Sequence, residues 1–337
     1  MKKLLSLLLA ALLFAACAFA EGDALPAFEY RGPDPIAEAV CAYLLENEGG
    51  YYTEGDVLIP CPSILEVDDT DPQDTLVWAD YYLNWYVLRN TTLISVSGGA
   101  FPGMMHLRAT DDGWEVTSVE YLRDGEDYDV DAKRVFGARE GLLEKFEADD
   151  DEALAIVERQ YVSDYVNWNG LNVTQLQHFG WPPVPLINAP DTAEADQIIH
   201  CERSMGCALD YDLRVFSEFD YDDESISLAG VGDLEGISID VYRYDESAEA
   251  ILAELSEDMT EPVQTPATLG AEDVACTRLE DAALGEGVER PIYVVPLEGG
   301  CLAISTCNTF YYYEGDPVVP GGDAALEKVL STFRLVP

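Results

Sequence analysis

The feature that most constrains this fold is the segment of residues 56–122, in which short apolar runs alternate with turn signals. Aliphatic, aromatic and β-branched residues dominate each run, and Asn, Asp and Gly separate the runs, as is typical of β-strands and their turns. The runs are DVLIPCPSILEV, DTLVWADYYLNWYVL, TTLISVSG, GMMHLRAT and WEVTSVEYL. Because the third and later runs follow one another closely, the pattern predicts an antiparallel meander.

Helical patterns flank this strand-rich segment on both sides. Pro33 to Glu46 precedes it, with Pro35 in the first turn and apolar residues at helical spacing. Val130 to Glu147 and Asp151 to Trp168 follow it with the same periodicity. One helix before a meander and further helices after it predict an α+β domain over residues 30–187.

A proline-containing stretch separates this domain from the rest of the chain. The sequence WPPVPLINAPDTAEA, residues 181–195, contains four prolines. Proline fixes φ and removes a backbone donor, so such a stretch favours a stiff connection over a helix or a central strand. We therefore expect a linker at residues 188–195.

Residues 196–337 repeat the mixture of strand and helix patterns without repeating the sequence of the first half. Two helices are predicted, Ser247 to Glu257 with Ser247 as its cap, and Asp323 to Thr332. The strand patterns are IIHCERSM, CALDYDLRVF, SISLAGV, ISIDVYRYD, DVACTRLED, IYVVPLE and CLAISTCNTFYYY. The whole chain is thus predicted to be an α+β protein of two domains.

Longer motifs in the first half resemble a known family. The stretch from LVWADYYLNWYVLRN through GMMHLRATDDGWEVTSVEYLRDG, the helix with Val135-Phe136-Gly137, and LNVTQLQHFGWPPV are similar to an uncharacterised exported protein family of gut clostridia. The resemblance covers residues 34–186. One helix against a curved meander resembles the cone-like folds of cystatins and nuclear transport factors, and this likeness implies a cone-like first domain.

The second half resembles a different group of proteins. CALDYDLRVF, ISIDVYR before a helix, GGCLAI and LEKVLSTFRL are similar to bacterial relatives of the PsbP extrinsic photosystem protein. That resemblance implies a PsbP-like α/β/α sandwich. Neither likeness supplies a catalytic residue for this chain.

The N-terminus has the layout of an export signal. Lys2 and Lys3 precede the apolar run Leu4 to Phe14, and Ala18-Phe19-Ala20 forms a small-residue cleavage site. We expect a signal peptide over residues 1–20 and a secreted, extracellular protein. The alternative is a lipoprotein anchored through Cys17. Since no later stretch reaches the ~18 apolar residues of a spanning helix, no membrane insertion is expected after cleavage.

The charge of the chain limits its partners. Loss of the two lysines with the leader leaves 16 basic side chains against 65 acidic ones, a net charge of −49. Such a surface repels phosphates and anionic lipids, so no nucleic acid partner is expected. It favours cations, basic peptides or simply solubility. With 48% hydrophobic residues the chain still has enough apolar side chains to form cores.

The stretch HCERSMGC combines a histidine with two cysteines, and three interpretations of it stay open: a disulfide, free thiols and a metal site. The spacing of His200, Cys201 and Cys207 matches no zinc motif, whereas a hairpin turning at 204–206 would bring the two cysteines together. Cys41 and Cys61 are a second candidate pair, because a helix and a strand can meet across a core. We expect disulfides here, since exported proteins retain them, and neither a metal nor a cofactor.

Catalytic motifs are missing from the sequence. It contains no G-x-S-x-G, S-x-x-K, H-E-x-x-H, P-loop or G-x-G-x-x-G pattern. Its three histidines have no neighbouring residues that point to a nucleophile and base. A non-enzymatic protein is therefore expected. A hydrolase that uses a pair of carboxylates remains one alternative.

The candidate binding residues come from the run TLVWADYYLNWYVL. Alternate positions place Val77, Ala79, Tyr81, Leu83, Trp85 and Val87 on one apolar face, which we predict to be core. The opposite face mixes aromatic rings with a carboxylate and an amide, a combination that suits a sugar or peptide. Its members are Trp78, Asp80, Tyr82, Asn84 and Tyr86, with His106 as a possible addition from a neighbouring strand. The alternative is that this face packs under the helices over residues 130–168.

These observations predict an exported, non-enzymatic binding or envelope-associated protein, whose ligand is an unknown small molecule, sugar or peptide. A structural or interaction module with an acidic surface is the other alternative to the carboxylate hydrolase.

Overall fold

The computed structural model describes residues 24–111, 113–148, 151–218, 225–284, 291–309 and 318–336. The predicted signal peptide and Cys17 lie outside these residues. The protein is α+β with several sheets, as predicted. The chain divides into two compact units: Met1–Trp85 with Gly99–Asn172, and Tyr86–Gly98 with Val173–Pro337.

The division between the units differs from the predicted linker at 188–195. The tip of a long hairpin, residues 86–98, and residues 173–187 both belong to the second unit. The reason is a short parallel pairing, in which Thr92, Leu93 and Ile94 lie opposite residues 175–177. Val87 and Ile94 are also buried in the apolar core of the second unit.

The first unit begins with helix α1, Pro35–Asn47. Asp34 caps it, since its carboxylate accepts hydrogen bonds from the backbone N–H groups of Ile36 and Ala37, and Pro35 occupies the first turn. A short 3-10 helix, Gly49–Tyr51, follows directly. The strands are then β1 Val57–Asp68, β2 Thr75–Arg89, β3 Thr92–Thr110 and β4 Gly113–Tyr121. β3 and β4 are antiparallel, which confirms the last hairpin of the predicted meander.

The helices after the meander are α2 Tyr128–Val135, α3 Leu142–Glu147 and α4 Asp151–Asn169. The single helix predicted from Val130 to Glu147 is therefore wrong. Gly141 adopts a left-handed conformation with φ of 77° and starts α3, so a continuous helix cannot pass through this position.

The sheet of the first unit carries buried apolar side chains on both of its faces. Val77, Ala79, Tyr81 and Leu83 of β2 are buried against the α1 side, as predicted. Trp78 on the opposite face is buried with apolar residues that follow β4 in sequence: Leu122, Ala132, Val135, Phe136 and Leu142. Helices consequently cover this sheet on both sides.

In the second unit, the short strands β5 Gln175–Gln177 and β6 Val184–Pro185 extend the tip of the hairpin. Among the described residues, a three-stranded sheet has the order β16-β8-β7 and a seven-stranded sheet the order β12-β13-β14-β15-β11-β10-β9. These strands are β7 Ile198–Arg203, β8 Cys207–Asp212, β9 Phe216–Glu218, β10 Ser225–Gly230, β11 Ile237–Tyr244, β12 Pro262–Leu269, β13 Val274–Asp281, β14 Ile292–Leu297, β15 Gly300–Asn308 and β16 Arg334–Leu335.

Two helices pack on these sheets. Helix α5, Ala248–Glu257, is capped by Ser247 as predicted, and it buries Ile251 and Leu252 with residues of β13, β14 and β15. Helix α6, Gly322–Leu330, contributes Leu326 and Val329 to the core that includes both sheets. The likeness to PsbP and the cone-like likeness of the first unit remain predictions.

The disulfide prediction is wrong for the described residues. Cys41, Cys61, Cys201 and Cys207 are all buried, and no two of the described cysteines lie within disulfide distance. The predicted hairpin at 204–206 is present, but its register places Arg203 opposite Cys207 and Leu209 opposite Cys201. The two sulfurs are therefore diagonal neighbours rather than directly opposed, and a disulfide requires closer geometry.

We predict that the seven cysteines of the described chain are all alkylated after denaturation without a reductant. In the folded protein they should react slowly, because all seven are buried. Burial also raises the pKa values of Cys41, Cys201, Cys276 and Cys301, and that of Cys207 to about 12, and the thiolate is the reactive form. Mass spectrometry after iodoacetamide treatment measures both states. Labelling of five or fewer of these cysteines in denaturant would reveal a disulfide.

Candidate functional site

Trp78, the first residue of the predicted binding face, lies in the core. Its side chain is 2% exposed, and its indole N–H donates a hydrogen bond of 3.1 Å to the backbone oxygen of Val135. The open binding face is therefore not realised at this position. Trp78 instead packs under the helices that follow β4, which is the alternative arrangement given above.

A charged cluster covers the ring of Trp78. The guanidinium carbon of Arg139 lies 5.0 Å from the ring centroid, a cation–π distance. Arg139 also forms ion pairs with Glu66 and Asp68 on β1. Hydrogen bonds from Thr70 and Arg139 lower the pKa of Asp68 to about 2, with the Thr70 hydroxyl as the larger cause. This cluster lies over the Trp78 ring, on the side of β2 that a ligand of the predicted binding face would have to contact.

The middle of the predicted face is partly accessible. Asn84 is buried, and its amide donates a hydrogen bond of 2.9 Å to Glu158 on α4. Tyr82 and Asp80 are half-buried. Burial raises the pKa of Tyr82, and the negative charge of Glu158 raises it further. These residues form a polar contact between sheet and helix.

Tyr86 and His106 complete the predicted set but do not join it into one open site. Tyr86 is fully buried and belongs to the segment assigned to the second unit. His106 lies on β3, where its Nδ1 is 2.7 Å from the Asp74 carboxylate and its Nε2 is 3.7 Å from that of Glu120. The ligand-binding role of the six residues remains a prediction, but Trp78 and Tyr86 offer no exposed ring to a ligand.

A cavity of about 500 Å³ lies elsewhere in the first unit, around the turn that follows α1. It is formed by the N-terminal segment (residues 25–28), the end of α1, the 3-10 helix, the start of β1 and one residue of β2. Its lining residues are Leu25, Ala27, Phe28, Leu45, Gly49, Gly50, Glu54, Asp56, Val57, Leu58 and Trp85.

Specific contacts hold the walls of this cavity in place. The ring of Phe28 stacks on Tyr165 of α4 with centroids 6.1 Å apart, and the Tyr165 hydroxyl donates a hydrogen bond of 2.7 Å to Pro26. On the other wall, the indole N–H of Trp85 donates a hydrogen bond of 3.2 Å to the backbone oxygen of Gly49. The N-terminal segment and the 3-10 helix are thereby tied to the body of the unit.

Sequence reasoning missed this cavity. It placed Trp85 on the core face of β2, where the ring is in fact only half-buried. The sequence signal for the cavity is the pair Gly49-Gly50 shortly after the predicted helix, because glycine can leave space that a larger side chain would fill. A Cβ added at Gly50 meets open space, whereas one at Gly49 would lie 2.3 Å from Leu58.

The electrostatic character of the cavity is negative. Glu54 and Asp56 are exposed carboxylates in its lining, and the described lining residues include no lysine, arginine or histidine. Most of the remaining lining is aliphatic or aromatic. The arrangement therefore suits a ligand with an apolar body, either neutral or positively charged, and disfavours an anion.

Neither a metal centre nor a membrane-spanning helix emerges from the described residues. No group of three or more potential ligands among His, Cys, Asp and Glu is close enough to hold an ion there. His200 pairs with Asp210 at 2.8 Å, and the histidine side chain is largely exposed, away from Cys201 on the opposite face of β7. Over the same part of the chain, no helix has the length and apolarity needed to cross a bilayer.

Comparisons with known proteins add little. No family model matches the chain, and no curated protein matches it. A solved structure from Bacteroides thetaiotaomicron VPI-5482 is similar at 14% identity and a TM-score of 0.26. That likeness covers 40% of this chain and 47% of the other, so the chain spans about half the length of the protein it matches. At this TM-score the likeness carries no argument about fold or function.

The buried position of Trp78 leads to a stability prediction. Trp78→Ala should lower the free energy of unfolding by ~3–5 kcal/mol, because it leaves a cavity and an unpaired Val135 carbonyl. Tyr51→Ala is the control and should change it by less than ~0.5 kcal/mol, since Tyr51 is 78% exposed. Urea denaturation measures both. A small effect of Trp78→Ala would contradict the packed face.

The Asp68 cluster leads to a pH prediction. The pKa of Asp68 falls from 3.8 to about 2 on folding, so its ionised form stabilises the protein above pH 3.8, and this contribution is lost as the pH falls through 2. Asp68→Asn should lower the urea midpoint at neutral pH, and the difference from the wild type should vanish below pH 2. The neighbouring exposed Asp69→Asn is the control. A pH-independent difference would contradict the assignment.

Proposed function

We propose that the protein is an exported, non-enzymatic binding protein whose first unit takes a small ligand into the cavity beside Trp85. The observation that carries this proposal is the cavity itself. Its volume of about 500 Å³ falls within the range of ~300–1,000 Å³ that small-molecule sites occupy. Its walls combine apolar side chains with a few polar groups, which is the usual composition of such sites.

The lining residues support binding over catalysis. Within the described chain, they include no histidine, cysteine, serine or lysine, so none of the usual nucleophiles or nitrogen bases faces a ligand there. Glu54 and Asp56 are the acidic members, and both are exposed to solvent. Their role in the proposal is to select the charge of the ligand.

Export is part of the proposal and is supported by the leader over residues 1–20. The strong negative charge, −47 over the full sequence, agrees with a ligand that is neutral or cationic. Envelope association through Cys17 stays the alternative to secretion.

An exposed apolar run supports a second candidate, the interaction module. Phe179, Trp181 and Val184 of the second unit are 45%, 69% and 41% exposed, and exposed proline lies between the last two. Large apolar side chains grouped on a surface often mark contacts with another molecule. Nothing on this surface indicates which kind of molecule that is, so it ranks below the cavity.

The cavity is tested with a neutral apolar fluorophore, N-phenylnaphthylamine, whose emission rises in apolar surroundings. Wild-type protein should bind it, and Gly50→Phe should weaken binding by at least ~1.4 kcal/mol, about tenfold, because Gly50 lines the cavity and a large ring at this position reduces the space for the probe. Gly50→Ala is the matched control and should bind normally. Anilinonaphthalene sulfonate, an anionic relative, should bind more weakly than the neutral probe.

Two outcomes would overturn the proposal. One is unchanged binding of the neutral probe in a folded Gly50→Phe variant. The other is loss of binding in Trp181→Ala rather than in Gly50→Phe, which would move the apolar site to the second unit and favour the interaction module.

A further inference from the structure

Glu48 is a buried carboxylate at an unfavourable position in the first unit. It is the C-terminal cap of α1 and is only 7% exposed. The C-terminal end of a helix carries a partial negative charge, so an acidic side chain there is repelled. The last turn of α1 contains no basic residue that would compensate.

The carboxylate has a hydrogen bond but no cation. The Tyr121 hydroxyl donates to Glu48 Oε1 at 3.0 Å. Among the described residues, no lysine, arginine or histidine forms an ion pair with Glu48. A buried charge is costly unless a countercharge balances it. The part of the chain that the structure describes supplies no countercharge at this position.

A group of aromatic rings lies near Glu48. Tyr52 and Tyr121 both flank Phe101, with ring centroids 6.3 Å and 5.5 Å from it. The negative charge of Glu48 adds to burial in raising the pKa values of Tyr43, Tyr52 and Tyr121, which places all three tyrosines near the carboxylate. The rings of Tyr52, Phe101 and Tyr121 are half-buried, so part of each residue is exposed to solvent.

We propose that Glu48 and the rings of Tyr52, Phe101 and Tyr121 bind an organic ammonium ion, such as a quaternary or methylated amine. Aromatic faces attract weakly hydrated cations, and a carboxylate beneath them adds a full countercharge. A calcium or magnesium ion is a poor fit, because these ions require several oxygen ligands and Glu48 supplies one carboxylate.

This site goes beyond the proposed function and does not depend on it. Glu48, Tyr52, Phe101 and Tyr121 are not among the residues that line the cavity. A variant that blocks the cavity, Gly50→Phe, should therefore leave ammonium binding unchanged. Loss of probe binding in the cavity can therefore be distinguished from loss of ammonium binding at Glu48.

The experiment titrates the full-length mature protein with choline and, separately, with dimethylbutanol, the neutral isostere in which carbon replaces the charged nitrogen. Ligand methyl signals in NMR report binding. Choline should bind at least about tenfold more tightly than dimethylbutanol. Equal binding of the two, or no binding of choline, would overturn the proposal.

Protein variants locate the site. Glu48→Gln should weaken choline binding by about tenfold, whereas Glu46→Gln, which removes the same charge from an exposed position of α1, should change it by less than about twofold. Unchanged choline binding in folded Glu48→Gln would overturn the proposal. So would loss of choline binding in Gly50→Phe with Glu48→Gln unaffected, since the cation would then occupy the cavity.

A second variant covers the case in which Glu48→Gln fails to fold, as circular dichroism would show. Tyr52→Leu removes one half-buried ring and leaves the carboxylate and its hydrogen bond to Tyr121 in place. It should weaken choline binding several-fold while dimethylbutanol binding stays the same. Full choline affinity in Tyr52→Leu would contradict the aromatic contribution and overturn the proposal.

Discussion

The sheet of the first unit carries apolar side chains on both of its faces, and the rest of that unit follows from the need to cover both. Helix α1 covers the face of Val77, Ala79, Tyr81 and Leu83, and the residues after β4 cover the face of Trp78. Burial of apolar area is the main stabilising contribution to such an arrangement. The proposed cavity site lies at the turn after α1, not on a covered face of the sheet.

The turn after α1 forms part of this cavity. Gly49 and Gly50 line the cavity beside Trp85, and Gly50 leaves open space there. The contact of Phe28 with Tyr165 holds residues 25–28 on the other side of the cavity. The residue before this turn, Glu48, is a buried carboxylate at the end of a helix. Both proposed sites thus use the residues that directly follow α1. Residues 48–58 contribute side chains to both proposed sites.

Sequence periodicity predicted much of the fold because it reports local geometry. It identified α1, the Ser247 cap of α5 and the hairpin at 204–206, all of which the structure contains. It also identified which residues of β2 share a face. Periodicity does not reveal whether a face is open or covered, which is why the alternation in β2 places Trp78 and Tyr86 on a predicted binding surface although both are buried.

The other differences between prediction and structure have the same physical origin, namely contacts between residues distant in sequence. The pairing of residues 92–94 with 175–177 shifts the boundary between the units, and no local pattern encodes it. Strand register separates Cys201 from Cys207 although their spacing permits a bridge. The cavity depends on Phe28, Gly50 and Trp85 together, so a single sequence window does not display it.

Hydrogen–deuterium exchange with and without N-phenylnaphthylamine tests the central claim, that the first unit binds ligands at the turn after α1. Binding at this turn predicts slower exchange in peptides that cover residues 25–28 and 49–58, with little change elsewhere. Protection confined to residues 76–86 would restore the face of β2 as the binding surface. Protection confined to residues 178–185 would place the ligand on the second unit and would contradict the account.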